Sequence, residues 1–458
     1  MKIQEKHLLF ISIPAYGHAI PLLELARKIS KFHQVTFAVS AKMAGDLPKR
    51  ELFDAKADNR IKLYPIPDGI VDDMEDPNDC ALFERIMPMM VGGIMEFVEK
   101  IPTSSAPSLV SEVKELTRPV DGIVTDNFVG FAAESCSQRN IPLYIFNSSP
   151  AAFTWMILSA HSALKTMPMA DADGFLEMPD KEGNFTKPIP HEFLHYNVLP
   201  MQKVLPSARA VIVNSVHELE NEVIKRCQNK PGMKDVPFFC IGPVLLAPKE
   251  GSNTNAMVEQ KVSKWLDEKD RGSVVYISFG TVVVLTPAQM GEIVKAIRQL
   301  GRPVIWSLKV RNQPELPEDL KTATNLDDPS SKLLVLSWAP QKKILSHQNV
   351  GVFVSHCGWN STLEGLAGGK PIVGWPQFAE QLMNAEFVAE IGAGEVIHDA
   401  GSKNARVVPA TEIVNVINRV QRKMSDGARA FQKKLYALMQ PEGSSQEFEE
   451  LVAYIGRS

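Results

Sequence analysis

Apolar runs of strand length alternate with segments of helical period along this chain, and that alternation restricts its fold more than any other feature. HLLFISIP (His7–Pro14) is a continuous apolar run, as expected for a parallel strand buried on both faces. A turn at Ala15-Tyr16-Gly17-His18 follows. Leu22, Leu25, Ala26 and Ile29 then fall at i, i+3, i+4 and i+7 on one helical face, with Pro21 in the first turn. VTFAV (Val35–Val39) closes a βαβ unit. IKLYPI (Ile61–Ile66), a helix-like Leu82–Ile101, GIVTD (Gly122–Asp126), the helix-like FAAESCSQR and PLYIF (Pro142–Phe146) continue the alternation. A parallel α/β domain is the expectation for the first half.

Between Lys165 and His195 the composition shifts to Pro, Gly, Asp and Lys, which reads as a surface excursion. AVIVNS and PFFCIGPV read as the last strands of this lobe, and LAPKEGSNTNA as a linker. The layout then repeats. VVYIS leads into a Phe279-Gly280-Thr281 turn, and Thr286-Pro287-Ala288-Gln289 has the form of a capping box opening a helix. PVIWSL, LLVLS, VGVFVS and PIVGW follow as strands, and Ile413, Val416, Ile417, Val420 and Met424 mark a late helical face. A chain of 458 residues exceeds what one core organises. The expected division is a Rossmann-like domain at 1–245, a linker at 246–257, a second Rossmann-like domain at 258–440 and a tail helix at 441–458. Doubly wound sheets bind ligands at the carboxyl ends of their strands, so a cleft between the lobes is the expected site.

Composition narrows the partners. A net charge of −4 with interspersed signs provides no basic face for nucleic acid or an anionic membrane. The five cysteines are odd in number and scattered, without ligand spacing, which suggests reduced, mostly buried thiols. The first residues do not resemble a signal peptide, and no stretch approaches the roughly 20 apolar residues of a membrane span. A cytoplasmic protein, monomeric, is expected.

The polar inventory concentrates in Trp338–Gln381, WAPQKKILSHQNVGVFVSHCGWNSTLEGLAGGKPIVGWPQFAEQ. Trp338 lies just past a strand end, either as an exposed face for stacking or as an indole packed under a loop. VGVFVS ends at His356, and Gly358, Trp359, Asn360 and Ser361 lead into a short helix. Backbone N–H groups at a helix start, its dipole and side-chain donors together suit a diphosphate. Glu364 is either the acidic half of a capping box or an acceptor for a ribose diol. Glu380 and Gln381 follow the next strand end. Base, diphosphate and sugar in that order describe a nucleotide sugar.

This stretch resembles the signature box of plant-type UDP-dependent glycosyltransferases, matching it over its full length. GHAIP, TDNF, VIVNSVHELE, IGP and SFGT extend the similarity along the chain. The resemblance implies a GT-B fold, two Rossmann-like doubly wound domains, with the tail crossing back to the first lobe. It implies that Trp338 stacks on uracil, that Ala339 pairs with it through its backbone, and that Gln341 and Glu364 hold the ribose. His356, Asn360, Ser361 and Thr281 would hold the diphosphate, and Trp359, Glu380 and Gln381 would face the sugar; Gln381 accompanies glucose in the family as a tendency.

His18 lies at the carboxyl edge of the first sheet, where its near-neutral pKa suits deprotonation of an acceptor hydroxyl. Asp126 ends GIVTD on the same sheet and is able to orient the imidazole. A satisfied turn histidine is the alternative; the resemblance identifies the pair with the family's catalytic dyad. Tyr16, Phe128 and Phe378 match acceptor-flanking positions, with core packing as the alternative for the two phenylalanines. The Met-rich Ile86–Met95 stretch is either an adaptable wall or core. Asp171 and Asp173 form a D-x-D inside the excursion, read as a solvated loop, so no metal and no other cofactor is expected beside UDP-glucose as co-substrate. The expected reaction is single displacement onto a small, largely apolar, phenolic acceptor, giving a β-glucoside and UDP. Another UDP-sugar, transfer to carbon, or a nucleotide-sugar-binding sensor are the alternatives. A dehydrogenase is disfavoured because neither first βα turn carries G-x-G-x-x-G.

Overall fold

The computed structural model describes residues 4–68, 91–102, 119–168, 177–244, 253–281, 283–323, 326, 328, 330–401, 406–439 and 444–457. The chain divides into two compact units. One takes residues 1–172, 177–246 and 438–458, and the other takes 173–176 and 247–437.

In the first unit the sheet strands are β1 (His7–Ile11), β2 (Gln34–Ser40), β3 (Ile61–Ile66), β4 (Gly122–Asp126) and β5 (Leu143–Asn147). A two-residue ladder of β6 (Thr166–Met167) and β7 (Ile189–Pro190) stands apart, and β8 (Ala210–Val213) and β9 (Phe238–Cys240) complete the sheet. All seven sheet strands are parallel, in the order β3-β2-β1-β4-β5-β8-β9. β1, β4, β5 and β8 are buried along their whole length, which is why they read as unbroken apolar runs rather than as alternation. Leu22, Leu25, Ala26 and Ile29 pack the first helix onto them as the periodicity predicts. That helix, Tyr16–Ser30, starts six residues before Leu22, the first residue of its apolar face, so the expected turn at 15–18 is already its first turn. Ala15 at the N-cap is extended and offers no capping side chain, so nothing in the local sequence marks the start.

The helix Ser444–Ile455 contributes Leu451, Val452 and Ile455 to the core of this same unit. At about 1.5–3 kcal/mol per buried aliphatic side chain, those three contacts explain why the tail docks here.

In the second unit β10 (Val274–Ser278), β11 (Val304–Ser307), β12 (Leu333–Leu336), β13 (Val350–Ser355), β14 (Ile372–Gly374) and β15 (Gly394–Val396) form a parallel sheet in the order β12-β11-β10-β13-β14-β15. β15 is only three residues long and carries Glu395, too little pattern to read as a strand. The helix Asn253–Asp267 begins inside the segment expected to be linker; among its described side chains the buried ones, Val262, Trp265 and Leu266, belong to its last turns. Thr286 caps the next helix by accepting from the Gln289 N–H at 3.2 Å, but the Gln289 side chain turns to Val408 instead of closing a capping box. The helix expected to end near Met424 runs through Ala410–Leu438, with Ala428, Phe431 and Leu435 extending the buried face. No described helix is long and apolar enough to cross a membrane. Asp171, Asp173 and residues 86–90 of the Met-rich stretch lie outside the described residues, and Ile94 of that stretch is buried.

Glu220 is 3 % exposed and accepts the Ala151 N–H at 3.0 Å, tying the helix His217–Gln228 to the start of Ala151–Ser159. Burial pushes its carboxyl up to about 6. The folded state therefore binds more protons than the unfolded one between the ordinary Glu range and that value. Stability falls as pH rises through this window, by about 2 kcal/mol, and is level above it. Glu220→Gln keeps an acceptor for Ala151 without the buried charge. Its stability relative to wild type is expected to be about 2 kcal/mol better at pH 7.5 than at pH 4.5. Urea midpoints at the two pH values check this; a difference that does not move with pH would refute it.

Candidate functional site

In each sheet the strand order reverses at one place, between β1 and β4 in the first unit and between β10 and β13 in the second. Loops leaving the carboxyl ends of such a strand pair diverge and open a crevice. His18 and Asp126 lie at the first of these places, and Thr281 and His356 at the second.

In the first unit Ile11 pairs with Thr125, so the ends of β1 and β4 are level. Asp126, the last residue of β4, is fully buried, and the first helix brings His18 above it. Both carboxylate oxygens face the imidazole, with Nδ1 at 3.1 Å from Oδ1 and 3.0 Å from Oδ2. An acceptor-only carboxylate there selects the tautomer with hydrogen on Nδ1 and leaves the lone pair on Nε2. The Phe128 N–H donates to Asp126 Oδ1 at 2.8 Å and fixes the carboxylate. Ser148 Oγ also lies 3.0 Å from His18 Nδ1. Ser148 went unnoticed in the sequence, although it directly follows the end of β5 and the strand-end rule that found Asp126 applies to it equally.

Phe128 packs edge-on against the His18 ring at a centroid distance of 4.5 Å. Phe153 stacks on Phe128 at 5.1 Å, and Phe193 adjoins both, giving an aromatic wall beside the imidazole. Phe193 comes from the excursion, directly before a π-helical turn, Leu194–Val198, whose Asn197 accepts the Gly130 N–H at 3.0 Å. Tyr16, expected to flank the acceptor, lies elsewhere: it is 6 % exposed and packs in the unit's core, with the Arg50 guanidinium 4.7 Å above its ring.

In the second unit the pairing sets Ser307, Ser278, Ser355 and Gly374 side by side at the ends of their strands. Ser278 and Ser355 hold the two turns that follow them, accepting the Gly280 N–H at 3.5 Å and the Cys357 N–H at 3.0 Å. Thr281 follows in the first turn and His356 opens the second. The His356 imidazole lies between Gly280 and Gly358, where an added Cβ would come within 2.6 Å and 2.7 Å of Nε2. Its Nδ1 is buried without a hydrogen-bond partner among the described residues, at a cost of about 1–3 kcal/mol. Burial lowers the His356 pKa to about 4, so the ring is neutral at physiological pH and offers one N–H.

Cys357 adopts a left-handed φ of 61°, held by Asn384 donating to its carbonyl at 2.9 Å, and the chain then enters the helix Trp359–Ala367. Burial pushes the Cys357 thiol up to about 12, which makes it a packing group and not a nucleophile. Asn360 and Ser361 occupy the first turn of this helix, so Ser361 is not an N-cap and Glu364 is not part of a capping box. Gln341 Nε2 instead donates to Glu364 at 2.7 Å and to Ser361 at 3.0 Å, while the Tyr276 hydroxyl donates to Gln341 Oε1 at 3.1 Å. Burial raises the Glu364 pKa and the Gln341 bond opposes that rise. Trp338 is 40 % exposed, the stacking alternative for its indole, and Ala339 follows it half-buried.

Trp359 is expected to face a sugar, but its indole is 4 % exposed and packs on Phe387 at 5.9 Å. Gln381 is buried, its side-chain oxygen accepting the N–H groups of Gln377 at 2.9 Å and Phe378 at 3.2 Å. Glu380 precedes it at the N-cap of Gln381–Glu390, half-buried. Phe378 packs against the unit's core.

Comparison with known proteins follows the same lines. Residues 251–423 match a family model described as UDP-glucoronosyl and UDP-glucosyl transferase. The chain is 30 % identical to UDP-glycosyltransferase 71C3 of Arabidopsis thaliana, covering 94 % of this chain and 92 % of that one. It is 27 % identical to scopoletin glucosyltransferase of Nicotiana tabacum, over 85 % of this chain and 83 % of that one. UGT71G1 of Medicago truncatula, solved with UDP-glucose, superposes with a TM-score of 0.74 at 23 % identity, covering 99 % of this chain and 98 % of that one. The fold is therefore GT-B.

Proposed function

Because the chain belongs to the UDP-glucoronosyl and UDP-glucosyl transferase family and is a glycosyltransferase, we propose that it moves glucose from UDP-glucose to a hydroxyl of a small, largely apolar, phenolic acceptor. The products are a β-glucoside and UDP. The observation that carries this reading is the His18–Asp126 pair at 3.0 Å with Phe128 packed against the imidazole. A carboxylate on Nδ1 makes Nε2 the basic nitrogen, and an aromatic wall beside it suits a flat acceptor.

On the donor side, Trp338 stacks on the uracil, the Ala339 backbone pairs with it, and the Gln341–Glu364 pair receives the ribose diol. His356, Thr281, Asn360, Ser361 and the N–H groups from Gly358 onward hold the diphosphate by hydrogen bonds and helix dipole rather than through a metal. Glu380 and Gln381 contact the sugar. His18 takes the hydroxyl proton as the oxygen attacks the anomeric carbon from the face opposite the departing UDP, so the α-linked donor yields a β-linked product. Asp126 stabilises the imidazolium that forms. A monomer working in the cytoplasm belongs to the same reading. The relatives' names support an aromatic acceptor: one acts on scopoletin and another, from Quercus robur, on gallate.

The test is a panel of phenols, alcohols and C-nucleophiles incubated with UDP-glucose, UDP-galactose or UDP-glucuronate, read by mass and by the anomeric proton coupling. A phenolic β-glucoside formed fastest from UDP-glucose is expected. Tight UDP-glucose binding without hexose transfer to any acceptor would replace the enzyme by a sensor, and an α-linked product would remove single displacement.

A further inference from the structure

The first unit carries a second concentration of chemistry, away from His18, where its C-terminal helix meets the sheet. His217 opens the helix His217–Gln228, Cys240 ends β9, and Glu447 projects from the helix Ser444–Ile455. One ligating atom from each, an imidazole nitrogen, the thiol sulfur and a carboxylate oxygen, lies within 4.8 Å of the other two. His217 Nδ1 is 3.2 Å from Glu447 Oε1, and Glu447 Oε2 accepts the Cys240 N–H at 2.7 Å. The Cys240 thiol is fully buried and makes no hydrogen bond among the described residues, although it faces this polar pair.

A cavity of about 390 Å³ adjoins the cluster, and its charged lining, Glu218, Glu447 and Glu450, is entirely acidic. His217 and Glu447 are 40 % and 20 % exposed, so an ion reaches them from solvent. We propose that His217, Cys240 and Glu447 bind a zinc ion that pins the C-terminal helix to β9, with water from the cavity as fourth ligand. Imidazole, thiolate and carboxylate suit Zn²⁺, whose tetrahedral bonds of about 2.0–2.3 Å place ligand atoms about 3.5 Å apart. The observed spread of up to 4.8 Å has to contract by about 1.3 Å on binding. On binding, the thiol proton leaves to solvent and the ion replaces the His217–Glu447 hydrogen bond.

The three residues are too far apart in sequence to show ligand spacing, and the proposed transfer chemistry does not use them. The whole chain, stripped with a chelator and titrated with Co²⁺, is expected to take up one equivalent with a thiolate-to-cobalt absorption band in the near ultraviolet, which Zn²⁺ then abolishes. Cys240→Ser is expected to lose the band, and His217→Gln to weaken Co²⁺ at least about tenfold, consistent with loss of one ligand. Far-ultraviolet dichroism without metal checks that each variant is folded; should Cys240→Ser fail there, His217→Gln carries the test alone. Absence of stoichiometric Co²⁺, or a band that survives in Cys240→Ser, overturns the site. Neither outcome touches the transferase reading, whose assay is hexose transfer.

Discussion

His18→Ala is expected to lower kcat/KM for glucosyl transfer by about 10²–10⁴-fold, the usual contribution of a positioned general base, while the affinity for UDP stays unchanged. The asymmetry follows from the geometry. The imidazole has Asp126 on Nδ1 and Phe128 on its edge, and the proposed donor contacts all come from residues 281–381 of the other unit. Asp126→Asn is expected to lose nearly as much. An amide facing Nδ1 permits the other tautomer, with hydrogen on Nε2, and removes the charge that stabilises the imidazolium. The measurement is UDP release under saturating phenol together with UDP affinity by calorimetry, for both variants. A loss in His18→Ala below about tenfold would mean that the acceptor ionises without this base.

The fold was legible because parallel strands buried on both faces leave uninterrupted apolar runs, and β1, β4, β10 and β13 are of that kind. What escaped had little pattern to show. β15 is three residues long, the Asn253–Asp267 helix starts in a Gly-, Ser- and Asn-rich stretch, and the first helix has no capping residue. At the site, residues following strand ends were readable because the strand end itself marks the crevice. Their supports were not. Tyr276 beneath Gln341, Asn384 on the Cys357 carbonyl and Ser148 beside His18 depend on sheet register and helix rotation, which a residue pattern does not encode. The side chains of Tyr16 and Trp359 turned inward for the same reason: proximity in sequence to a site residue says nothing about which way a side chain faces on a helix.

Gly280→Ala is expected to weaken UDP-glucose binding by about 10–100-fold, the loss of a hydrogen bond worth roughly 1.5–3 kcal/mol to a charged group. Two effects act at once. Gly280 has a φ of 75°, where a side chain costs about 1–2 kcal/mol, and its new Cβ would stand 2.6 Å from His356 Nε2. Two companion variants separate them. Gly358→Ala crowds the same nitrogen at 2.7 Å from a backbone with φ −57°, so the imidazole is displaced without left-handed strain. Gly301, at the C-terminal end of the helix Pro287–Leu300, has a φ of 63° and open space around it, so Gly301→Ala imposes strain without any crowding. Binding of UDP-glucose by calorimetry should therefore fall in Gly280→Ala and Gly358→Ala but not in Gly301→Ala. Gly301→Ala should instead lower the unfolding midpoint, as Gly280→Ala does. Should Gly280→Ala and Gly358→Ala both bind the donor as wild type does, His356 is not a diphosphate ligand. Its two flanking glycines would then serve only to make room for a neutral ring between the turns that follow β10 and β13.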